Sequence, residues 1–204
     1  MQGGSSVAHT LDLRLASQGE NTLDYVVGLY YIDQDLLSVQ QNILRGFKRW
    51  WDAADPIGLG PDFANGDVDF DYRRSESYRE YAAFGELTWN LTDAFPLTGG
   101  LRYFDNKFEN DTYLALPALD WNGPGVNPFF VTEADDLLFK LNGSWKFADG
   151  YLAYATVAEG YRRGGANAVP MVNPFGNLPD YLTYDSDTAT NYEIGIKGQA
   201  GAMQ

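Results

Sequence analysis

Apolar and polar residues alternate along seven short stretches of the chain, and this period of two predicts strands of a sheet with unlike faces. In the last stretch Tyr192, Ile194 and Ile196 alternate with polar or small residues. The predicted strands are residues 7–17, 23–33, 75–90, 97–105, 137–147, 151–161 and 189–198. No apolar run approaches the roughly 20 residues that a membrane-spanning helix needs, and no stretch has a clear helical pattern. The expected fold class is therefore all-β.

The connections between the predicted strands alternate strictly between short and long. The short ones are residues 18–21, 91–96 and 148–150, and the long ones are residues 36–74, 106–134 and 162–188. Outer-membrane barrels have short periplasmic turns and long extracellular loops, whereas a soluble sandwich has no reason to sort its loops in this way. We therefore expect an antiparallel up-and-down meander of about seven strands, a segment of a transmembrane β-barrel.

One face of the predicted strands is apolar and ends in aromatic residues, while the other face carries the charges. The aromatic ends, which resemble the girdles of membrane barrels, are Tyr31, Trp89, Tyr103, Trp145 and Tyr192. The charged residues that we expect to face a lumen are Asp12, Arg14, Glu86, Arg102, Lys140, Lys146, Glu193 and Lys197. His9 is the exception, because it lies on the apolar face, near the expected interface.

Composition and charge exclude several classes of function. The net charge of −14 argues against a nucleic-acid partner, and the absence of Cys excludes disulfides and thiolate metal sites. Catalysis by a Ser-His-Asp site would need His9, the one histidine, so we expect no enzyme. Asp67, Asp69 and Asp71 resemble a calcium loop only in part, because Tyr78 stands where the closing Glu would be needed. A solvated acidic loop edge is the prediction, with no metal and no cofactor.

Four blocks of sequence resemble the barrel of TonB-dependent outer-membrane receptors, most closely the iron-complex (ferric siderophore) branch. They are LRLASQGENTLDYVVGLYYIDQD (13–35), YAAFGELTWNLTDAFPLTGGLRY (81–103), YATVAEGYRRGGAN (154–167) and YDSDTATNYEIGIKG (184–198). The resemblance implies a barrel of about 22 strands with a plug, in the bacterial outer membrane, that binds and imports an iron complex such as a ferric siderophore. Outer-membrane lipid and the TonB complex would be its partners.

The same resemblance implies that residues 1–204 form part of such a barrel domain. The sequence has no plug, no TonB box and no signal sequence, so we expect the chain to be an excerpt of a longer receptor whose plug would contact the TonB complex. Seven strands of a large barrel would leave two unpaired edges and a bare apolar face, both of which promote association.

Two pairs of residues in the long connections are candidate ligand contacts. Trp50 and Trp51, next to Lys48 and Arg49, suit stacking on an aromatic or sugar-like ligand, and equally suit an anchor at the level of lipopolysaccharide or packing within the loop. Arg162 and Arg163, at the outer end of a predicted strand, suit contact with the carboxylates of a ferric siderophore. The alternative for the arginines is an ion pair with a loop Asp, and the resemblance favours this structural role.

A second interpretation of the same pattern is a soluble β-sandwich or small barrel that serves as a binding module of the carbohydrate or adhesin type. Exposed Trp and Tyr and acidic loops suit such a module. A sandwich also has one apolar face and one wet face, but its loops need not be sorted by end.

Overall fold

A computed structural model describes residues 1–19, 21–55, 66–115, 129–167 and 182–198, and the structural statements below concern these ranges. Seven strands form one antiparallel sheet, with a short helix and a two-residue ladder between them. The elements are β1 (Gln2–Ala16), β2 (Leu23–Ile43), α1 (Phe47–Ala54), β3 (Val68–Thr92), β4 (Phe95–Ala115), β5 (Phe129–Ala148), β6 (Tyr151–Arg162), β7 (Gly165–Ala166), β8 (Thr183–Tyr184) and β9 (Asp187–Gly198). The sheet order β1-β2-β3-β4-β5-β6-β9 follows the chain, which confirms the predicted meander.

At the end of the sheet with the short connections, side chains tie neighbouring turns together. Asn90 donates hydrogen bonds to the carbonyl of Asn21 at 2.7 Å and to the carboxylate of Asp24 at 2.8 Å. The hydroxyl of Ser17 donates to the same carboxylate at 2.9 Å. The turn between β5 and β6 uses Gly150 at φ 75, a conformation that residues with a Cβ rarely adopt.

At the other end, four strands are much longer than the alternation predicts. β2 and β4 have 21 residues each, β3 has 25 and β5 has 20. The predicted loops 36–74 and 106–134 are therefore wrong over a large part of their length. Apolar and polar side chains alternate only where a strand has one apolar and one wet face, whereas the backbone hydrogen bonds between strands require neither. The ladder thus continues where the apolar pattern has ended.

The expectation of no helix is also wrong. α1 begins after Gly46, which has φ 85, and ends at Asp55, which has φ 33. Phe47 and Trp51, four residues apart, form its buried side. Eight residues are too few to produce a recognisable helical period in a sequence. Within the described ranges, no helix is both long and apolar enough to cross a bilayer.

The alternative of a soluble sandwich or small barrel is wrong as well. A sandwich needs two facing sheets of several strands, whereas the described strands form one seven-stranded sheet with only the two-residue β7–β8 ladder against it. β1 and β9 lie at opposite edges of this sheet, so the described strands do not close into a small barrel. Among the described residues, ten apolar side chains are buried, and six of them lie in two clusters. One contains Tyr78, Phe108 and Ala166, and the other contains Ala82, Phe104 and Leu138. Both clusters lie on the face that also carries the charges, which we call the inner face.

Candidate functional site

The opposite, outer face is an exposed apolar band bounded by aromatic residues. Toward the long connections it ends at Tyr31 and Tyr81, which face each other across β2 and β3 with ring centroids 4.9 Å apart. Toward the short turns it ends at Trp89, opposite Leu23. Residues 81 to 89 are nine in number, close to the 9–11 residues with which a tilted strand crosses a bilayer. Large apolar side chains between these limits are bare, Leu101 being 56% exposed.

Immediately beyond the tyrosines the outer face becomes charged. The strand register places His9, Asp33, Arg79, Lys107 and Glu133 side by side in one row. Arg79 lies 3.6 Å from Asp33, and Lys107 lies 3.6 Å from Glu133. Tyr31 donates a hydrogen bond of 3.2 Å to Asp33, which links the two rows. His9 therefore lies at the boundary of the apolar band, the interfacial position expected of it.

The inner face carries the charges that the alternation assigns to a lumen. Opposite charges and polar groups are paired along it at short range. The pairs are Arg14 with Asp12 (2.6 Å), Lys140 with Glu86 (2.8 Å) and Tyr154 with Glu193 (2.5 Å). This face therefore combines polar and ionic groups over the same length of strand on which the outer face is apolar.

A buried carboxylate, that of Glu80, is the centre of the inner face. Glu80 is 4% exposed and forms an ion pair of 2.6 Å with Arg102. It also accepts hydrogen bonds from the hydroxyls of Tyr78 and Tyr161. The ring of Tyr161 stacks on Phe104 with centroids 3.9 Å apart. Sequence reasoning missed this cluster, because Tyr161 is 81 residues from Glu80 and only the parity of Glu80 marks it as inward-facing.

Tyr78, which lies three residues beyond Tyr81 on the long-loop side of β3, is held in the neutral form. Burial and, second, the hydrogen bond to Glu80 raise the pKa of Tyr78 above its usual range. The hydroxyl of Tyr78 therefore remains a donor to the buried carboxylate at neutral pH.

Around Glu80 the inner face forms a concave groove of about 570 Å³. Its lining is mixed, since ionic groups alternate with aromatic rings. The residues that contribute include Asp12, Arg14, Tyr30, Arg102, Lys140 and Tyr161. Convergent polar groups beside apolar surface are typical of small-molecule sites.

Of the predicted arginine pair, only Arg163 lies over this face. Its guanidinium carbon is 4.6 Å from the ring centroid of Tyr78 and 5.6 Å from that of Phe108. Arg162 instead forms a two-bond ion pair with Asp187, at 3.1 and 2.6 Å. Among the described residues no carboxylate lies within ion-pair distance of Arg163. Within the described part of the chain Arg163 thus contacts aromatic rings and no carboxylate, while Asp187 neutralises the charge of Arg162.

The predicted tryptophan pair is also divided. Trp51 is 1% exposed and packs against Phe47 with ring centroids 5.6 Å apart. Trp50 is 54% exposed and offers its ring to solvent. Lys48 of the same helix forms an ion pair of 3.1 Å with Asp52. In the described part of the chain the helix contacts β3, and no interaction joins its tryptophans to Arg162 or Arg163.

The acidic run does not form the predicted loop edge. Asp69 and Asp71 belong to β3 rather than to a loop, and Asp71 is buried beside Arg73 at 3.2 Å. Strand pairing of β3 with β2 and β4 continues through this segment. The sequence analysis did not predict this continuation. Within the described ranges, no three His, Asp or Glu side chains lie close enough to hold a metal ion.

Comparison with known proteins identifies the family to which the chain belongs. The sequence model of the family described as TonB dependent receptor-like, beta-barrel, matches residues 4–204. The chain belongs to this family. TonB-dependent receptors are outer-membrane transporters of Gram-negative bacteria and not enzymes. The resemblance of the four sequence blocks is confirmed.

Relatives of this receptor barrel are much longer than the chain. The chain is 28% identical to the pesticin receptor of Yersinia pestis over 116 residues. This match covers 57% of the chain and 16% of that receptor. The pesticin receptor of Yersinia enterocolitica is 27% identical over the same share. The matched stretch thus covers about a sixth of the length of these receptors.

Two solved structures share the fold of this receptor barrel. The ferric yersiniabactin uptake receptor FyuA from Yersinia pestis has a TM-score of 0.74 and 21% identity, over 97% of this chain and 27% of that one. The ferric-catecholate import receptor Fiu from Escherichia coli K12 has a TM-score of 0.66 and 16% identity, over 98% of this chain and 30% of that one. At these identities the likeness establishes the fold, a segment of a receptor barrel.

Proposed function

We propose that the chain is part of an outer-membrane receptor that binds and imports an iron complex such as a ferric siderophore. The family and the uptake receptors among its structural neighbours support this proposal. Residues 1–204 would supply barrel wall, and the plug of the longer protein would contact the TonB complex. Import would therefore belong to the whole receptor and not to this segment.

The outer face is suited to outer-membrane lipid. Its apolar band is nine residues high along β3 and is followed at once by the charged row of Asp33 and Arg79. A lipid-facing charge at mid-depth costs about 2–4 kcal/mol. Charges concentrated on the inner face and beyond the tyrosines avoid that cost, so the inner face would line the lumen.

Arg163 is the observation that carries the proposal for the ligand. Its guanidinium lies over the rings of Tyr78 and Phe108, on the long-loop side of the inner wall. A guanidinium binds carboxylates in a bidentate manner. Its positive charge on this wall suits an anionic iron chelate. Arg162, already paired with Asp187, would contribute less.

Trp50 is a second candidate contact, because its indole is exposed on α1 at the same end of the sheet. Trp51 is buried against Phe47 and would therefore fix the position of α1, which carries Trp50. The predicted pair thus divides into one ligand-facing ring and one packing ring. Stacking on a single indole adds apolar contact without requiring a particular ligand.

The test uses the full-length receptor that carries this sequence, purified in detergent. Ferric complexes with carboxylate or catecholate groups are titrated, and binding is followed by quenching of tryptophan fluorescence. Arg163→Gln should weaken binding by about tenfold, since a charge-assisted contact is lost. Arg162→Gln is the matched control and should change the affinity less than threefold. Equal affinities for all three proteins, or no binding of any iron complex, would refute the proposal.

A further inference from the structure

The end of β6 is tied across the inner face by the side chain of Tyr161. Within the described ranges, backbone pairing between β5 and β6 stops at Ala158, while residues 159–162 remain paired with β9. Tyr161 stacks on Phe104 of β4 with ring centroids 3.9 Å apart and donates a hydrogen bond to Glu80 of β3. The ladder with β5 therefore does not fix the end of β6 over the inner face, whereas the contacts of Tyr161 do.

Both oxygens of the Glu80 carboxylate are occupied. Oε1 accepts a hydrogen bond of 2.6 Å from the guanidinium of Arg102, and Oε2 accepts from the hydroxyls of Tyr78 and Tyr161. The two hydroxyls lie 3.0 Å apart. Because Glu80 is 4% exposed, Arg102 rather than water balances its charge. Removal of this acceptor would release two hydroxyls and one guanidinium together.

The same two tyrosines support Arg163, one along the chain and one in space. Tyr161 precedes Arg163 by two residues. The ring of Tyr78 lies under the guanidinium, 4.6 Å from its central carbon, and the ring of Phe108 lies at 5.6 Å. Arg163 itself is exposed. The backbone position and the aromatic support of Arg163 thus both depend on Glu80, whose ion pair is with Arg102.

We infer that Glu80 is a positioning residue for Arg163, the ligand contact of the proposed function on which this inference rests. Glu80 holds both hydroxyls at one oxygen and so keeps the end of β6 close to the ring of Tyr78. The guanidinium is thereby presented to an anionic chelate that Glu80 does not touch, which lowers the cost of ordering this contact on binding. Arg102 neutralises Glu80, so the carboxylate does not draw Arg163 away from the rings.

Titration of the full-length receptor tests this role, with the tightest-binding ferric carboxylate or catecholate complex as the probe. Glu80→Gln should weaken binding by about fivefold and by no more than Arg163→Gln does, since it acts only through that guanidinium. Tyr161→Phe keeps the ring and loses one hydroxyl, so it should weaken binding by about threefold. Glu193→Gln is the matched control and should leave the affinity unchanged. Glu193 also accepts a hydrogen bond from a tyrosine hydroxyl, that of Tyr154 at 2.5 Å, but lies outside the Glu80 cluster.

A double variant separates positioning from a general loss of structure. In the Arg163→Gln background, Glu80→Gln should cause no further loss of affinity, because the residue that it positions is already gone. Should Glu80→Gln fail to fold by far-UV circular dichroism, Tyr161→Phe gives the same comparison. A further loss of affinity in the Arg163→Gln background would overturn the inference. So would wild-type affinity of Glu80→Gln and Tyr161→Phe where Arg163→Gln is weakened, and this result would leave the proposed function intact. Wild-type affinity of Arg163→Gln would instead refute the proposed ligand contact, and the inference with it.

Discussion

A positive charge placed in the middle of the outer apolar band should destabilise the barrel, and the same charge on the inner face should not. Leu101 of β4 lies near mid-depth and is 56% exposed in the chain by itself, where Leu101 faces Gly85 and Phe139 across the sheet. In a bilayer, Leu101→Arg should lower the free energy of unfolding by about 3 kcal/mol, the cost of an Arg near the bilayer midplane. That corresponds to a decrease of about a hundredfold in the folding equilibrium constant.

The assay is guanidinium unfolding of the full-length receptor in phospholipid vesicles, followed by tryptophan fluorescence. Ser144→Arg is the control on the inner face of β5 and should change the free energy by less than about 0.5 kcal/mol. Leu137→Arg lies opposite Tyr103 and therefore closer to the interface, so it should cost only about 0–1 kcal/mol. Equal costs at Leu101 and Ser144 would refute the assignment of the two faces, and equal costs at Leu101 and Leu137 would refute the assigned depth.

Three further expectations follow from the same structure. Trp51→Ala should detach α1 at a local cost of about 3 kcal/mol, because a buried aromatic ring is lost, while Trp50→Ala should cost less than about 1 kcal/mol. Hydrogen exchange of the helix amides measures both costs. Equal protection in the two variants would contradict the division of the tryptophan pair into a buried and an exposed ring. Burial and the hydrogen bond to Glu80 raise the pKa of Tyr78 in the folded protein above its value of about 10 when unfolded, so Tyr78 should add stability that is complete below pH 10 and is lost as the pH rises above it. Unfolding titrations should show this loss and Tyr78→Phe should lack it, whereas the same slope in both proteins would contradict it. The 204-residue chain alone, with free edges at β1 and β9, should associate in buffer and partition into detergent; sedimentation as a folded monomer in buffer would be the contrary result.

The sequence was informative wherever one strand meets two different environments. Alternation placed Leu101 on one face and Arg102 on the other, and the structure has them there, with Arg102 paired to Glu80. The sorting of connections by length predicted the order of the strands, which is confirmed. Alternation failed to predict the strands beyond Tyr31 and Tyr81. β2 continues to Ile43 although its residues no longer alternate, because hydrogen bonds between backbones do not depend on side-chain pattern.

The candidate site was less accessible to sequence reasoning, because its members lie far apart in the chain. Trp50 and Trp51 are adjacent and chemically identical, and only the phase of an eight-residue helix buries one and exposes the other. Arg162 and Arg163 differ in the same way, since the chain turns between β6 and β7 and gives them different partners. Neighbouring residues have the same local propensities, so pattern reasoning had no means to separate them.

The sequence by itself determined that this protein is a meander of strands with a lipid-suited outer face and an ionic inner face. Those properties follow from side-chain period and loop length, which are local. Only the tertiary structure decided which residues gather around Glu80, which arginine lies over Tyr78 and Phe108, and that Arg74 donates to the carbonyl of Ala166. The bond from Tyr161 to Glu80 joins residues 81 positions apart, and that from Arg74 to Ala166 joins residues 92 positions apart. They depend on the strand register and on where the chain folds back, which no local pattern encodes.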